Sequence, residues 1–202
     1  MTWIKTVAYS DAEGRLKQLY DRIKGPDDNV DNIMMAHSLR PHSMEGHMAI
    51  YKAVLHHARN SLDKSFLETL GVWVSLLNRC AYCVDHHFAG LRRLLGDHQK
   101  ADAIKSALMR EDIDGGPFTP AETAALRYAA QLSRTPADVD EGMIEALRDT
   151  GLDDGQILEI NQVVAYFAYA NRTVLGLGCV TDGDVLGLSP NNADDSDDWS
   201  HR

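Results

Sequence analysis

The residues most capable of chemistry form one short run, Cys80-Ala81-Tyr82-Cys83-Val84-Asp85-His86-His87. Two cysteines three apart can close a disulfide within one helical turn, the spacing that serves thiol–disulfide exchange. The run opens a helix, where unpaired backbone N–H groups and the helix dipole favour a thiolate over a thiol. At ~100° per residue, Cys80, Cys83 and His87 fall within a ~60° arc. His87, four residues after Cys83, is thus placed to exchange a proton with the thiols. His86 lies ~60° from Cys83 on the far side and ~120° from Cys80, so it is expected to point elsewhere.

A second candidate comes from the preceding helix. Asn78-Arg79 reads as a reversal between two antiparallel helices. Glu68 stands ten or eleven residues before it and His87 eight or nine after it. Their levels therefore differ by only ~3 Å along the axis. A carboxylate there can orient the imidazole and raise its basicity. Glu68 also sits beside the apolar stripe, next to Leu67, where a charge needs a reason to be.

Other readings of the same residues stay open. Cys80, Cys83 and His87 could hold zinc with His56, His57 or His86 as fourth ligand, although no second close cysteine pair completes a familiar zinc set. The cysteines could also be inert and buried. His37, His42, His47, His56 and His57 read as surface or hydrogen-bonded histidines. Cys179, in Gly178-Cys179-Val180, reads as a small buried apolar residue.

The elements that must position these groups are helical throughout. Leu16, Leu19, Tyr20 and Ile23 repeat at i, i+3, i+4, i+7, after a possible capping box at Ser10–Glu13. Residues 27–42 look irregular. Met44, Met48, Tyr51, Leu55 and Ala58 form the next stripe. Phe66, Leu67, Leu70, Trp73, Val74 and Leu77 follow in a helix expected to be capped by Ser61. Further helices fit about 80–95, stopped by Gly96, and 98–109. Gly115-Gly116-Pro117 is a linker. Thr119-Pro120-Ala121-Glu122 is a strong helix start. Two last helices fit 139–149 and 154–172. No segment alternates with a period of two. The expected fold is an all-α bundle of seven or eight helices, one domain over residues 1–190.

Composition narrows the class of function. The chain has 202 residues, with 20 Lys+Arg against 30 Asp+Glu, a net charge of -10. That balance repels phosphate backbones and argues against nucleic acid as a partner. No apolar run reaches the ~20 residues of a membrane span, and the first residues lack the apolar stretch of a signal peptide. Three cysteines are too few for a disulfide scaffold. A cytoplasmic protein is expected, with an acidic, disordered tail over 191–202. No Gly-rich nucleotide loop is present, so no cofactor is expected.

Glu68, then Cys80-x-x-Cys83 and His87, resembles the signature of the AhpD-like alkylhydroperoxidases of the carboxymuconolactone decarboxylase superfamily. The surroundings are similar to its peroxidase-related branch. The similar stretches are Ser38-Leu39-Arg40-Pro41, Val74–Asn78, Cys83–His87, Thr119–Glu122 and Tyr166–Arg172. The resemblance covers most of residues 30–180 and implies an all-helical homo-oligomer, a trimer or hexamer. It implies Cys83 as the peroxidatic thiol, Cys80 as the resolving thiol, and Glu68 with His87 as a proton relay. The implied activity is reduction of a small-molecule hydroperoxide through a dithiol/disulfide cycle, reset by an outside dithiol. The same dithiol would suit a disulfide reductase or adaptor serving a separate peroxidase. A lactone decarboxylase, which needs no C-x-x-C, and a zinc-stabilised binding module are further alternatives. The better-known enzymes carry a histidine between the cysteines where this chain has Tyr82.

Overall fold

The computed structural model describes residues 2–190, 194, 195 and 198–201. Among them are nine α-helices and no strand: α1 (Gly14–Ile23), α2 (Asn32–Met35), α3 (Pro41–Leu55), α4 (Lys64–Leu77), α5 (Ala81–Leu95), α6 (His98–Met109), α7 (Pro120–Arg134), α8 (Glu141–Arg148) and α9 (Asp154–Leu177). The all-α expectation holds, with α2, a single short helix inside the stretch read as irregular, raising the count.

Helix α4 is the centre of the bundle. Its residues Phe66 to Ser75 are all buried, because α5, α7 and α9 pack around it on different sides. A helix apolar on nearly every side must be surrounded, and the richness of α4 in Leu, Val, Phe and Trp is the sequence cause. Trp73 buries its ring there and donates its indole N–H to the Leu126 carbonyl at 2.9 Å, which removes the cost of an unpaired donor. Helices α4 and α9 approach closely at Gly71. A methyl group built on Gly71 would stand 2.2 Å from the Phe167 ring.

Helix ends follow side-chain chemistry where that chemistry is strong. Thr119 and Glu122 form the expected capping box, with Pro120 as first helical residue, and Gly96 takes the left-handed conformation at φ +61°. Weaker signals fail. Residues Tyr9–Asp11 form a 3-10 turn, and Glu13, not Ser10, precedes α1. Asp63, not Ser61, precedes α4. Ser61 instead donates its hydroxyl to Glu159, which also accepts the Ser61 and Leu62 backbone N–H groups. Helix α9 runs through Gly176 and stops at Gly178, at φ +64°, five residues beyond the expected end. A helix buried along one face by tertiary packing tolerates a glycine that costs only ~1 kcal/mol.

Residues 191–193, 196, 197 and 202 of the acidic tail lie outside the described residues. The described part at 198–201 packs on the helices. Trp199 is 5% exposed, under the Arg22 guanidinium at 3.9 Å, and His201 bridges to Pro190.

Gly71→Ala adds about 1 kcal/mol of helix propensity but must displace the Phe167 ring, for which overpacking costs about 1–3 kcal/mol. The expected outcome is a lower midpoint in urea unfolding with an unchanged denaturant slope.

Candidate active site

The turn between α4 and α5 places the thiols. Asn78 ends α4, and Arg79 adopts φ +56°. The Arg79 N–H donates to the Leu76 carbonyl at 3.0 Å and the Cys80 N–H to the Ser75 carbonyl at 2.8 Å. This pair of bonds is a Schellman motif with arginine where glycine is usual. It satisfies the end of α4 and sets Cys80 at the threshold of α5, with Cys83 in the first turn.

Cys80 and Cys83 are free thiols, 0% and 2% exposed. Their ionisations are linked. The Cys83 thiol, donating to Cys80, holds the Cys80 thiol below its ordinary value against the opposing effect of burial. The same bond, with burial and the facing Cys80 thiolate, pushes the Cys83 thiol well up. The two sulfurs thus titrate as a pair, losing the first proton early and keeping the second. Asn171 on α9, fully buried, stabilises both in thiolate form. Its amide is oriented by Ser75 and Asn78, at 3.1 and 3.0 Å. Asn171 stood in a recognisable stretch of the sequence but had no role there; only its depth within the apolar α9 face hints at one.

The Glu68–His87 expectation is met. His87 Nδ1 lies 2.7 Å from Glu68 Oε2, and the Glu68 carboxylate is 3% exposed. The hairpin brings the two to one level, and the Phe167 ring packs edge-on against the imidazole at 4.5 Å. Glu68 has a second neighbour, His56 Nε2 at 4.0 Å. His56 is 1% exposed and its ring stands edge-to-face on Tyr51. Burial depresses its basicity far below the ordinary value, so it stands there neutral. His47 is likewise buried, pushed down to about 3, with the Tyr166 hydroxyl at 3.2 Å. Of the histidines read as surface or hydrogen-bonded, His47 lines the site cavity and His56 stands behind Glu68.

Cys83, Glu68 and His87 line one partly open cavity of about 40 Å³, where a single water needs ~10–15 Å³. Cys80 does not line it. Cys83 and His87 therefore communicate through the cavity, with no direct hydrogen bond between them. Tyr51, Leu188 and His201 complete its walls. His201 is buried and held down to about 4 by that burial.

One expectation is overturned. His86 does not point elsewhere: it lines the same cavity. The cavity flanks Cys83 on both sides, so His87, ~40° to one side of it on the helix, and His86, ~60° to the other, both reach the space. The His86 partners, Asp31 and Asp184, come from the segment before α2 and the loop after α9. Neither segment carries a periodic pattern, and no local signal could have found them. Asp31, His86 and Asp184 are the one group of three suited to a metal among the described residues; the zinc set built on Cys80, Cys83 and His87 is not assembled there.

Comparison with known proteins agrees with this architecture. The carboxymuconolactone decarboxylase family model matches residues 41–131, the span that carries Glu68, both cysteines and His87. This segment is similar to the carboxymuconolactone decarboxylase family. The family match covers α3 to most of α7; the remaining helices share the AhpD-like fold. A peroxidase-related protein of Ralstonia eutropha JMP134, an alkylhydroperoxidase AhpD core, superposes with a TM-score of 0.78 at 22% identity, over 92% of this chain and 96% of that one. A peroxidase-related protein of Silicibacter sp. TM1040 gives 0.77 at 23%, over 91% and 95%. The debrominase Bmp8 gives 0.69 at 18%, over 89% and 90%. No curated relative matches the sequence.

In Cys83→Ala the hydrogen-bond donor that favours the Cys80 thiolate is gone. The expected outcome is a Cys80 ionisation at higher pH than the first ionisation of the wild-type pair, read by ultraviolet thiolate absorbance. An unchanged or lower value would mean that the sulfurs do not share a proton.

Proposed function

We propose that the protein is a thiol peroxidase that reduces small hydroperoxides through Cys83 and Cys80. The observation that carries this reading is the placement of a free dithiol with Cys83 at the wall of a cavity also lined by a Glu68–His87 pair. Accessibility selects Cys83 as the attacking sulfur, since it alone of the pair lines the cavity. Transfer of the shared proton to Cys80, or its capture by His87 backed by Glu68, makes the Cys83 thiolate. That thiolate attacks the O–O bond and becomes a sulfenic acid. Cys80 then displaces water from the sulfenic acid and forms the Cys80–Cys83 disulfide, which an outside dithiol reduces.

The size of the cavity supports a small oxidant such as hydrogen peroxide over a bulky one. No helix among the described residues is long and apolar enough to cross a membrane, in keeping with a cytoplasmic enzyme. Assembly into a trimer or hexamer, as the family resemblance implies, belongs to the same proposal.

A peroxide pulse on the reduced protein, read by intact mass, tests the cycle. The expected outcome is a loss of two hydrogens in the wild type and none in Cys83→Ser. Glu68→Gln is expected to slow this oxidation about 10²-fold, the scale of a lost proton relay. No mass change in the wild type would end the reading, and an unchanged rate in Glu68→Gln would remove Glu68 from it.

A further inference from the structure

The cavity has a second polar wall opposite Glu68 and His87. Asp184, its side chain 1% exposed, is bonded on both oxygens. Oδ1 accepts the Asn32 N–H at 3.0 Å. Oδ2 accepts the Tyr82 hydroxyl at 2.6 Å and faces His86 Nε2 at 3.1 Å. The Tyr82 oxygen accepts the Ile33 N–H at 3.1 Å, and the Tyr82 ring lies against the imidazole at 4.6 Å. His86 Nδ1 stands 4.0 Å from Asp31 Oδ2. Each ring nitrogen thus faces a carboxylate, and Asp31, Tyr82 and His86 all line the cavity beside Cys83. Hydrogen bonds already occupy Asp184 and His86 Nε2, so the arrangement is a relay more than a metal cradle.

Such a wall has a use if the site breaks an O–O bond. The oxygen that departs leaves as hydroxide or alkoxide, which is a poor leaving group unless protonated in the transition state. His87 is bound through Nδ1 to Glu68 and serves the thiol proton. The leaving oxygen needs a donor of its own.

We propose that His86, oriented by Asp184 and Tyr82, is the general acid that protonates the departing oxygen. This rests on the thiol-peroxidase reading. The Cys83 thiolate attacks the terminal oxygen of R–O–O–H. The S–O bond forms as the O–O bond breaks; sulfur is oxidised to the sulfenic acid and the peroxide is reduced. The oxygen bearing R takes a proton from His86 and leaves as R–OH, and the neutral imidazole regains a proton from solvent by way of Asp31. Burial, with Asp184 close by, holds the Asp31 carboxyl above its ordinary value, which suits a group that passes protons on.

Substrates that differ in their need for that proton provide the test. Peracetic acid releases acetate, which departs unprotonated; hydrogen peroxide releases hydroxide, which does not. Oxidation of reduced wild type, His86→Gln, Asp184→Asn and His87→Gln is followed by stopped flow with each oxidant. His86→Gln is expected to slow reaction with hydrogen peroxide about 10²-fold and with peracetic acid less than about 10-fold. Asp184→Asn should shift the ratio of the two rates in the same direction by a smaller factor. His87→Gln should slow both oxidants alike. Equal slowing of both oxidants by His86→Gln would overturn the proposal; should that variant not fold, equal slowing by Asp184→Asn would do the same. A wild type that reacts with neither oxidant would instead sink the thiol-peroxidase reading itself.

Discussion

The hydrogen-bonded reversal at Asn78-Arg79-Cys80 is the constraint on which the site depends. Two bonds from Arg79 and Cys80 back to Leu76 and Ser75 end one helix and aim the next. They fix the antiparallel register of α4 and α5, and through it the 2.7 Å contact between Glu68 and His87. They also bring Cys80 to the helix threshold, so that Cys83 falls in the first turn, where N–H groups are still unpaired. A shift of one residue in this turn would rotate Cys83 by ~100° and remove it from the cavity. The left-handed conformation at Arg79, normally a glycine position, is a local cost that the packing of α4 at the centre of the bundle offsets.

Around that turn the bundle supplies two kinds of environment. Apolar packing from α9 confines the imidazole of His87 against Phe167 and excludes bulk water. Polar groups are admitted only in satisfied sets: Asn171 with Ser75 and Asn78, Asp184 with Asn32, Tyr82 and His86. A buried polar group left unpaired costs about 1–3 kcal/mol, which explains why these residues occur as networks. His56, with neither ring nitrogen paired, and His47, with Nδ1 unpaired, depart from this pattern, and burial holds both well below their ordinary basicity.

The helices and the Glu68–His87 contact were legible in the sequence because both rest on short-range geometry. The stripe from Phe66 to Leu77, the Thr119 capping box and the i, i+4 relation of Cys83 to His87 all concern residues within a turn or two. The Glu68 contact needed one further step, a reversal at Asn78-Arg79, and that too was local. Helix caps at Ser10 and Ser61 were misplaced because a serine near a helix start has other partners open to it, as Ser61 has in Glu159. The second wall of the cavity was not legible. Asp31 and Asp184 meet His86 across loops more than fifty residues away in sequence, and helical angles alone place His86 away from the thiols without revealing that the cavity extends to both sides of Cys83. Tyr82, noted as a departure from the better-known enzymes, has a structural use in holding Asp184.

The shared proton of the two sulfurs bears on the electrochemistry of the pair. Between the lowered first ionisation and the raised second, the reduced form holds a single thiol proton. Its oxidation to the disulfide then releases two electrons and one proton. The midpoint potential in that interval falls by about 30 mV for each pH unit, where an ordinary dithiol losing two protons falls by about 59 mV. Within that interval alone, the potential of the pair follows pH half as steeply as that of a dithiol keeping both protons.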